Sequence, residues 1–237
     1  MIGGRAPTVA VDISRLSREH ARNLTATPGT PPLMSKPPVT PLPAASVVII
    51  RDGAKGLETF MLRRHESNKV AFSGATVFPG GKVDAEDRDP RWVELQATPA
   101  PTPAHEYWIA AVRETWEEAG LLIARAPSSR EIVNGDIAHS LAQGRHGAVE
   151  GNDAAGFARM MSLAGLVPAL DQMVHFGHWI TPRPLPRRFD THFFLVAAPA
   201  TQRDLVDEAE SAEGQWIAPQ QVLDEFERDE RFLVAVT

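Results

Sequence analysis

Val77-Phe78-Pro79-Gly80-Gly81-Lys82-Val83-Asp84, followed after a gap by Arg113-Glu114-Thr115-Trp116-Glu117-Glu118-Ala119-Gly120-Leu121, is the part of the chain that decides its fold. The second segment lies in a run with helical period, His105 to Gly120, and Gly120 stands where such a helix stops. At about 100° per residue, Val112, Trp116 and Ala119 share a side with Trp108, while Glu114, Glu117 and Glu118 face away from it. The helix has an apolar back and an acidic front.

Carboxylates at i, i+3 and i+4 repel one another by roughly 0.2 to 0.5 kcal/mol per pair, and Arg113 alone does not neutralise three of them. Two explanations fit. One is a solvated acidic surface; the other is a seat for a hard divalent cation, because Mg²⁺ takes carboxylate oxygens together with water and substrate phosphate. The glycine pair favours the cation. After a short strand, Pro79-Gly80-Gly81 can turn tightly and bring backbone groups against an ion or a phosphate with no Cβ in the way.

Working outward, Ser46 to Arg51 and Leu57 to Arg64 read as strands joined by the glycine-containing turn Asp52-Gly53-Ala54-Lys55-Gly56, and Ala75 to Phe78 as a third. Asp84 to Ala104 is polar and proline-rich, a surface loop with a turn of helix near Trp92. Residues 128 to 176 look mainly helical, with Met160, Met161, Leu163, Leu166, Leu170 and Met173 as apolar positions. Strands are expected again at His178 to Thr181, Thr191 to Ala198 and Gln215 to Ala218, before a last helix from Pro219 to Glu230. Helices and strands mingle without a regular repeat, so the fold class is α/β of the α+β kind.

The chain has 237 residues, of which 43% are hydrophobic, enough to build a core without disulfides or structural zinc. It contains no cysteine, which excludes thiolate chemistry. Residues 25 to 44 hold seven prolines, which forbids helix and sheet there. Residues 1–44 are therefore assigned to a proline-rich arm and 45–237 to the folded domain, with 84–104 as a loop insertion and 128–176 as a helical one. The formal charge of −6 becomes −9 without the arm, the opposite of the basic footprint of duplex nucleic-acid binders. No run approaches the roughly 18 apolar residues that span a bilayer, and the first 25 residues lack the apolar centre of a secretory signal. The expectation is a cytoplasmic protein with no membrane partner, a homodimer being left open. The eight histidines are scattered, with no two-histidine helical pair flanking a carboxylate and no Gly-x-Ser-x-Gly elbow, which argues against a zinc hydrolase and a serine esterase.

Together the two quoted segments resemble the Nudix box, whose pattern is Gly, five residues, Glu, seven residues, then Arg-Glu-aliphatic-any-Glu-Glu-any-Gly-aliphatic. Arg113 to Leu121 fits the second half except that Thr115 takes an aliphatic position, and Gly81 fits the start. The resemblance implies a Nudix fold, a mixed β-sheet sandwiched between helices, with a helical insertion after the Nudix helix. It implies Mg²⁺- or Mn²⁺-dependent hydrolysis of a small-molecule diphosphate. By position, Glu114, Glu117 and Glu118 would be metal ligands, assisted by the Gly80 carbonyl, with Arg113 orienting the carboxylates. Glu114 or Glu210 would take the proton of the attacking water, while Gly81, Arg64 and Arg188 would meet the substrate.

The departure lies inside the box. Gly81 and Arg113 are thirty-two positions apart where the family has fourteen, so eighteen residues are inserted. Counting six on from Gly81 gives Asp87, whereas counting eight back from Arg113 gives His105 beside Glu106. The upstream glutamate has no secure equivalent and is left out of the site. This insertion, Phe72 to Gly81, Trp179-Ile180-Thr181-Pro182 and Arg188-Phe189-Asp190-Thr191-His192-Phe193-Phe194 look like the Nudix branch that splits coenzyme A and acyl-coenzyme A into 4′-phosphopantetheine and adenosine 3′,5′-bisphosphate. The alternatives are another nucleoside diphosphate derivative (a dinucleotide, nucleotide sugar or capped RNA) and a Nudix-fold binding module without catalysis. Retention of all three helix carboxylates argues against the binding module.

Overall fold

Alternation dictates the first strand. β1 (Leu42–Gly53) buries Ala45, Val47 and Ile49 on one face and turns through Ala54 and Lys55 into β2 (Gly56–Arg64), the two strands closing on the pair Gly53 and Gly56. Gly56, at φ +123°, occupies backbone space that other residues avoid. The computed structural model describes residues 39–65, 73–94, 103–145, 154–183, 185–205, 211–234 and 237, all within one unit, Val39–Thr237. Most of the proline-rich arm lies outside the described residues. Leu42, Pro43 and Ala44, assigned to that arm from composition, belong to β1, where Leu42 N–H donates to the Arg188 carbonyl at 2.9 Å.

β1 runs parallel to β8 (Phe189–Ala197), which is antiparallel to β7 (Met173–Ile180). β9 (Ser211–Ile217) pairs antiparallel with β2. Between them β1 and β2 are paired only near the hairpin, from Ile50 to Gly53 against Gly56 to Thr59. Farther along, the gap is filled by two short pieces: β3 (Thr76–Val77) pairs with β2, and β4 (Gly80–Lys82) pairs with Ala44 to Ser46 of β1. Pro79 and Gly80 therefore sit at the fork where the two strands part. The result is one mixed seven-stranded sheet.

The face presented by Val47, Ile49, Phe60, Leu62 and Phe194 is covered by α2 (His105–Ala119) through Trp108, Ile109, Val112 and Trp116. On the other face Met61 and Ile217 pack with Val222 of α5 (Pro219–Glu227), so helices lie on both sides of the sheet, as expected. α2 ends at Gly120, whose φ of +67° and amide bond back to the Trp116 carbonyl form a left-handed cap. Thr115, at a position where the pattern asks for an aliphatic residue, is fully buried and donates its hydroxyl to the Ala111 carbonyl at 2.8 Å. A back-bonded hydroxyl is satisfied, so the departure costs little.

The turn of helix expected near Trp92 is present: a single 3₁₀ turn (Glu86–Arg88) leads into α1 (Arg91–Glu94), and Trp92 is buried with its indole N–H on the Glu86 carbonyl at 2.9 Å, so this part of the segment is packed and not a surface loop. Residues 128–176, expected to be mainly helical, are helical in part. They contain α3 (Gly135–Arg145) and α4 (Ala154–Ala164), but β5 (Ala124–Arg125) pairs with β6 (Val167–Pro168), and β7 begins at Met173, five residues before the expected strand. The cause is a bulge between His175 and Gly177, which breaks the alternation by which a strand is recognised. Met160 and Met161 are buried in the main core. Among the described residues no helix is long and apolar enough to cross a membrane.

Candidate functional site

The acidic front of α2 is not a solvated surface. Glu114, Glu117 and Glu118 are only 9%, 7% and 6% exposed, which a charge run facing water would not be. Such burial follows from geometry: α2 lays this face onto the fork occupied by β4. Glu118 accepts the Gly80 amide at 2.7 Å, and Arg113 donates through Nη2 to the Lys82 carbonyl at 2.8 Å. The helix thus holds the glycine turn at both ends.

Both glycines are required by close approach. At Gly80, φ is +155° and a Cβ would fall 2.3 Å from the Ala45 carbonyl oxygen, a backbone atom that cannot swing aside. At Gly81 a Cβ would fall 2.2 Å from Glu114 Oε1 and 2.5 Å from its carboxyl carbon. Gly81→Ala is accordingly expected to push the Glu114 carboxylate out of place while leaving the backbone fold. Activity and divalent-ion affinity should fall about ten-fold or more with unfolding little changed, an effect size typical of disturbing a ligand's supporting contacts. Gly80→Ala should instead lower the yield of folded protein. Metal titration alongside circular dichroism separates the two outcomes.

Arg113 is the organising side chain. It is 2% exposed. Its Nε and Nη2 donate to Asp87 Oδ1 and Oδ2 at 3.0 and 2.9 Å, and its Nη1 donates to Glu114 Oε1 at 2.9 Å and Glu117 Oε2 at 2.7 Å. Burial disfavours the guanidinium charge, but the Asp87 bonds and the charges of Glu114, Asp87 and Glu117 outweigh it and hold the pKa above the ordinary arginine value. The group is permanently cationic.

Asp87 is the residue the sequence reading left out. It is 1% exposed, pairs bidentately with Arg113 and accepts the Asp84 amide through Oδ2 at 2.8 Å. The signal was present: Asp87 lies six residues beyond Gly81, where the pattern has its first glutamate. The insertion therefore falls after that position, between Asp87 and Arg113, and keeps the spacing of the first half of the box with aspartate in place of glutamate.

Four carboxylates are gathered here, and Arg113 contributes one positive charge. Buried charges are costly unless compensated, and the all-oxygen donor set of Glu114, Glu117 and Glu118 beside a cradle without side chains suits a hard divalent cation such as Mg²⁺ or Mn²⁺. The residues present fit the ion.

The other expected residues fall differently. Arg64 ends β2, where the register against β9 shifts between Arg63 and Arg64, and it is half-buried. Arg188 is 8% exposed, and it donates from Nε to the Thr181 carbonyl and from Nη1 to the Val39 carbonyl, both at 2.8 Å. It ties the approach to β1 to the end of β7, a structural role beside the substrate contact expected of it. Arg188→Lys should therefore lower stability by about 1 to 3 kcal/mol, read by urea unfolding, and the steady-state KM of the variant reports whether the side chain also meets the substrate. Glu210 lies outside the described residues.

Residues 97–235 match the family model described as the NUDT19 Nudix domain. A Caenorhabditis elegans nudix hydrolase is 30% identical over 182 residues, covering 77% of this chain and 53% of that protein. The human acyl-coenzyme A diphosphatase NUDT19 is 28% identical over 214 residues, covering 73% of this chain and 56% of its own. The chain thus spans about half the length of the curated relatives it matches. Among solved structures, a Nudix hydrolase from Alicyclobacillus acidocaldarius superposes with a TM-score of 0.65 at 25% identity, covering 85% of this chain and 88% of that one. With the glycine fork, the buried carboxylate helix and a family match across more than half its length, the chain belongs to the Nudix family, in the group of the NUDT19 Nudix domain.

Proposed function

We propose that the chain is a metal-dependent diphosphatase that cleaves coenzyme A or its acyl thioesters to 4′-phosphopantetheine, free or acylated, and adenosine 3′,5′-bisphosphate. The observation that carries this reading is the burial of Glu114, Glu117 and Glu118 against Gly80 and Gly81, locked by Arg113 and Asp87. The substrate class rests on the likeness to proteins named acyl-coenzyme A diphosphatase.

Glu114, Glu117 and Glu118 hold the divalent ion, with the Gly80 carbonyl as a further donor. Such an ion supplies charge neutralisation at the phosphate oxygens and lowers the pKa of a bound water. Arg113 fixes Glu114 and Glu117 in position through Nη1, and Asp87 fixes Arg113. Gly81 leaves room for the Glu114 carboxylate against the turn, and its backbone meets the diphosphate beside the ion. Arg64, at the end of β2, neutralises a substrate phosphate. Glu114 or Glu210 accepts the proton of the attacking water.

The test is mass analysis of products after incubating the full chain with coenzyme A and Mg²⁺ or Mn²⁺. Formation of 4′-phosphopantetheine and adenosine 3′,5′-bisphosphate is expected. Intact coenzyme A beside hydrolysis of a dinucleotide, nucleotide sugar or capped RNA would move the substrate assignment while keeping the chemistry.

A further inference from the structure

Three histidines that look scattered in sequence converge on the β7–β8 ladder. His178 stands directly opposite His192 in the antiparallel register, and Asp190 lies two residues before His192, on the same face. The bulge between His175 and Gly177 brings a third imidazole round: without it, His175 and His178, an odd number of residues apart, would point to opposite faces. Instead His175 Nε2 lies 2.9 Å from His192 Nδ1, and the His178 and His192 rings stack at 4.1 Å with 4° between their planes. His178 Nε2 hydrogen-bonds Asp190 Oδ1. Ligand atoms of His178, Asp190 and His192 all lie within 4.8 Å of one another.

From this arrangement we propose a second metal site, for Zn²⁺ or a similar first-row transition ion, ligated by His178, His192 and Asp190 with His175 as a fourth donor. The donor chemistry separates it from the carboxylate site on α2. Two or three imidazoles and one carboxylate suit Zn²⁺, whereas Mg²⁺ seeks oxygen alone. Zinc–nitrogen bonds of about 2.0 to 2.1 Å place tetrahedral ligands about 3.3 Å apart, so loading asks for a contraction on the order of 1 Å. Stacked rings cannot both aim in-plane lone pairs at one ion. His178, whose side chain is 43% exposed, has the freedom to turn out of the stack, and its exposure gives the ion a route in.

The position matters as much as the chemistry. Gly81 pairs with Ala45 and Ala45 with His192, which in turn faces His178, so the glycine turn and the histidine cluster occupy one cross-strand row. Tyr107, in the first turn of α2, packs on the His192 ring at 4.3 Å. An ion clamping β7 to β8 would therefore press on the helix that carries Glu114, Glu117 and Glu118.

The experiment is titration of the full chain with Zn²⁺, and with Co²⁺ for its visible absorption, under excess Mg²⁺. One equivalent of either ion should bind and raise the melting temperature, Co²⁺ with the d–d bands of nitrogen ligation. His178→Ala and the double variant His178→Ala/His192→Gln should weaken that binding at least about 100-fold, since even supporting residues of metal sites cost 10- to 100-fold. Glu117→Gln should bind Zn²⁺ as the parent does. No Zn²⁺ binding under excess Mg²⁺, binding unchanged in the histidine variants, or loss of binding in Glu117→Gln would each overturn the proposal. Because His178 is exposed, its single variant remains informative if the double variant fails to fold.

Discussion

Glu117→Gln and Glu118→Gln are each expected to lower kcat by roughly 10²- to 10⁴-fold, because a bound divalent ion supplies several kcal/mol of transition-state stabilisation and each 1.4 kcal/mol is worth a factor of ten. The same variants should leave the metal-free protein as stable as the parent, within about 1 kcal/mol. Both halves of this expectation come from the hydrogen bonds. A glutamine oxygen at position 118 can still accept the Gly80 amide, and one at position 117 can still accept from Arg113 Nη1. A weaker, uncharged acceptor destabilises; relief of repulsion among carboxylates that are each less than a tenth exposed stabilises. Loss of function without loss of fold is the mark of residues whose proximity serves a ligand. Steady-state kinetics over a Mg²⁺ range, with urea unfolding in chelator, reads both quantities. Unchanged turnover in either variant removes that residue from the ion's coordination.

Local pattern carried much of this site, and topology carried the rest. The helix His105–Ala119, its two faces and its glycine stop follow from period and from single residue types, so they were legible. So was the pairing of Gly80 and Gly81 with that helix, through resemblance to the Nudix box. What was not legible arises from pairings remote in sequence. β3 falls inside the strand expected at Ala75 to Phe78, but strands of two and three residues are too short to show that residues 76–82 wedge between β1 and β2. Whether the acidic front is solvated or buried depends on that wedge and not on the helix itself. The parallel partner of β1 lies more than 140 residues away, and only its pairing shows that Arg188 bonds the backbone carbonyls of Val39, before β1, and Thr181, after β7. The bulge in β7 conceals both the strand and the convergence of His175 with His178.

Asp87→Ala is expected to cost about 3 to 5 kcal/mol of stability, the usual result of removing one partner from a buried ion pair. The cost is not the strength of the bond lost. It comes from leaving the Arg113 guanidinium, 2% exposed, without the carboxylate that binds both its Nε and Nη2. Arg113 would still reach Glu114, Glu117 and the Lys82 carbonyl, but released from Asp87 it would draw more closely on the two carboxylates proposed to hold the ion. Turnover of the molecules that remain folded should therefore fall as well. Asp84 provides the control: its side chain is 49% exposed and its Oδ2 stands 3.9 Å from Arg113 Nη2, so Asp84→Ala should cost less than about 1 kcal/mol. Asp87→Asn keeps the volume and gives up the charge, and should fall between the two. Urea unfolding at constant m-value measures all three. If Asp87→Ala proved no more destabilising than Asp84→Ala, Asp87 would not be the anchor of Arg113, and the retained first half of the box would end at Gly81.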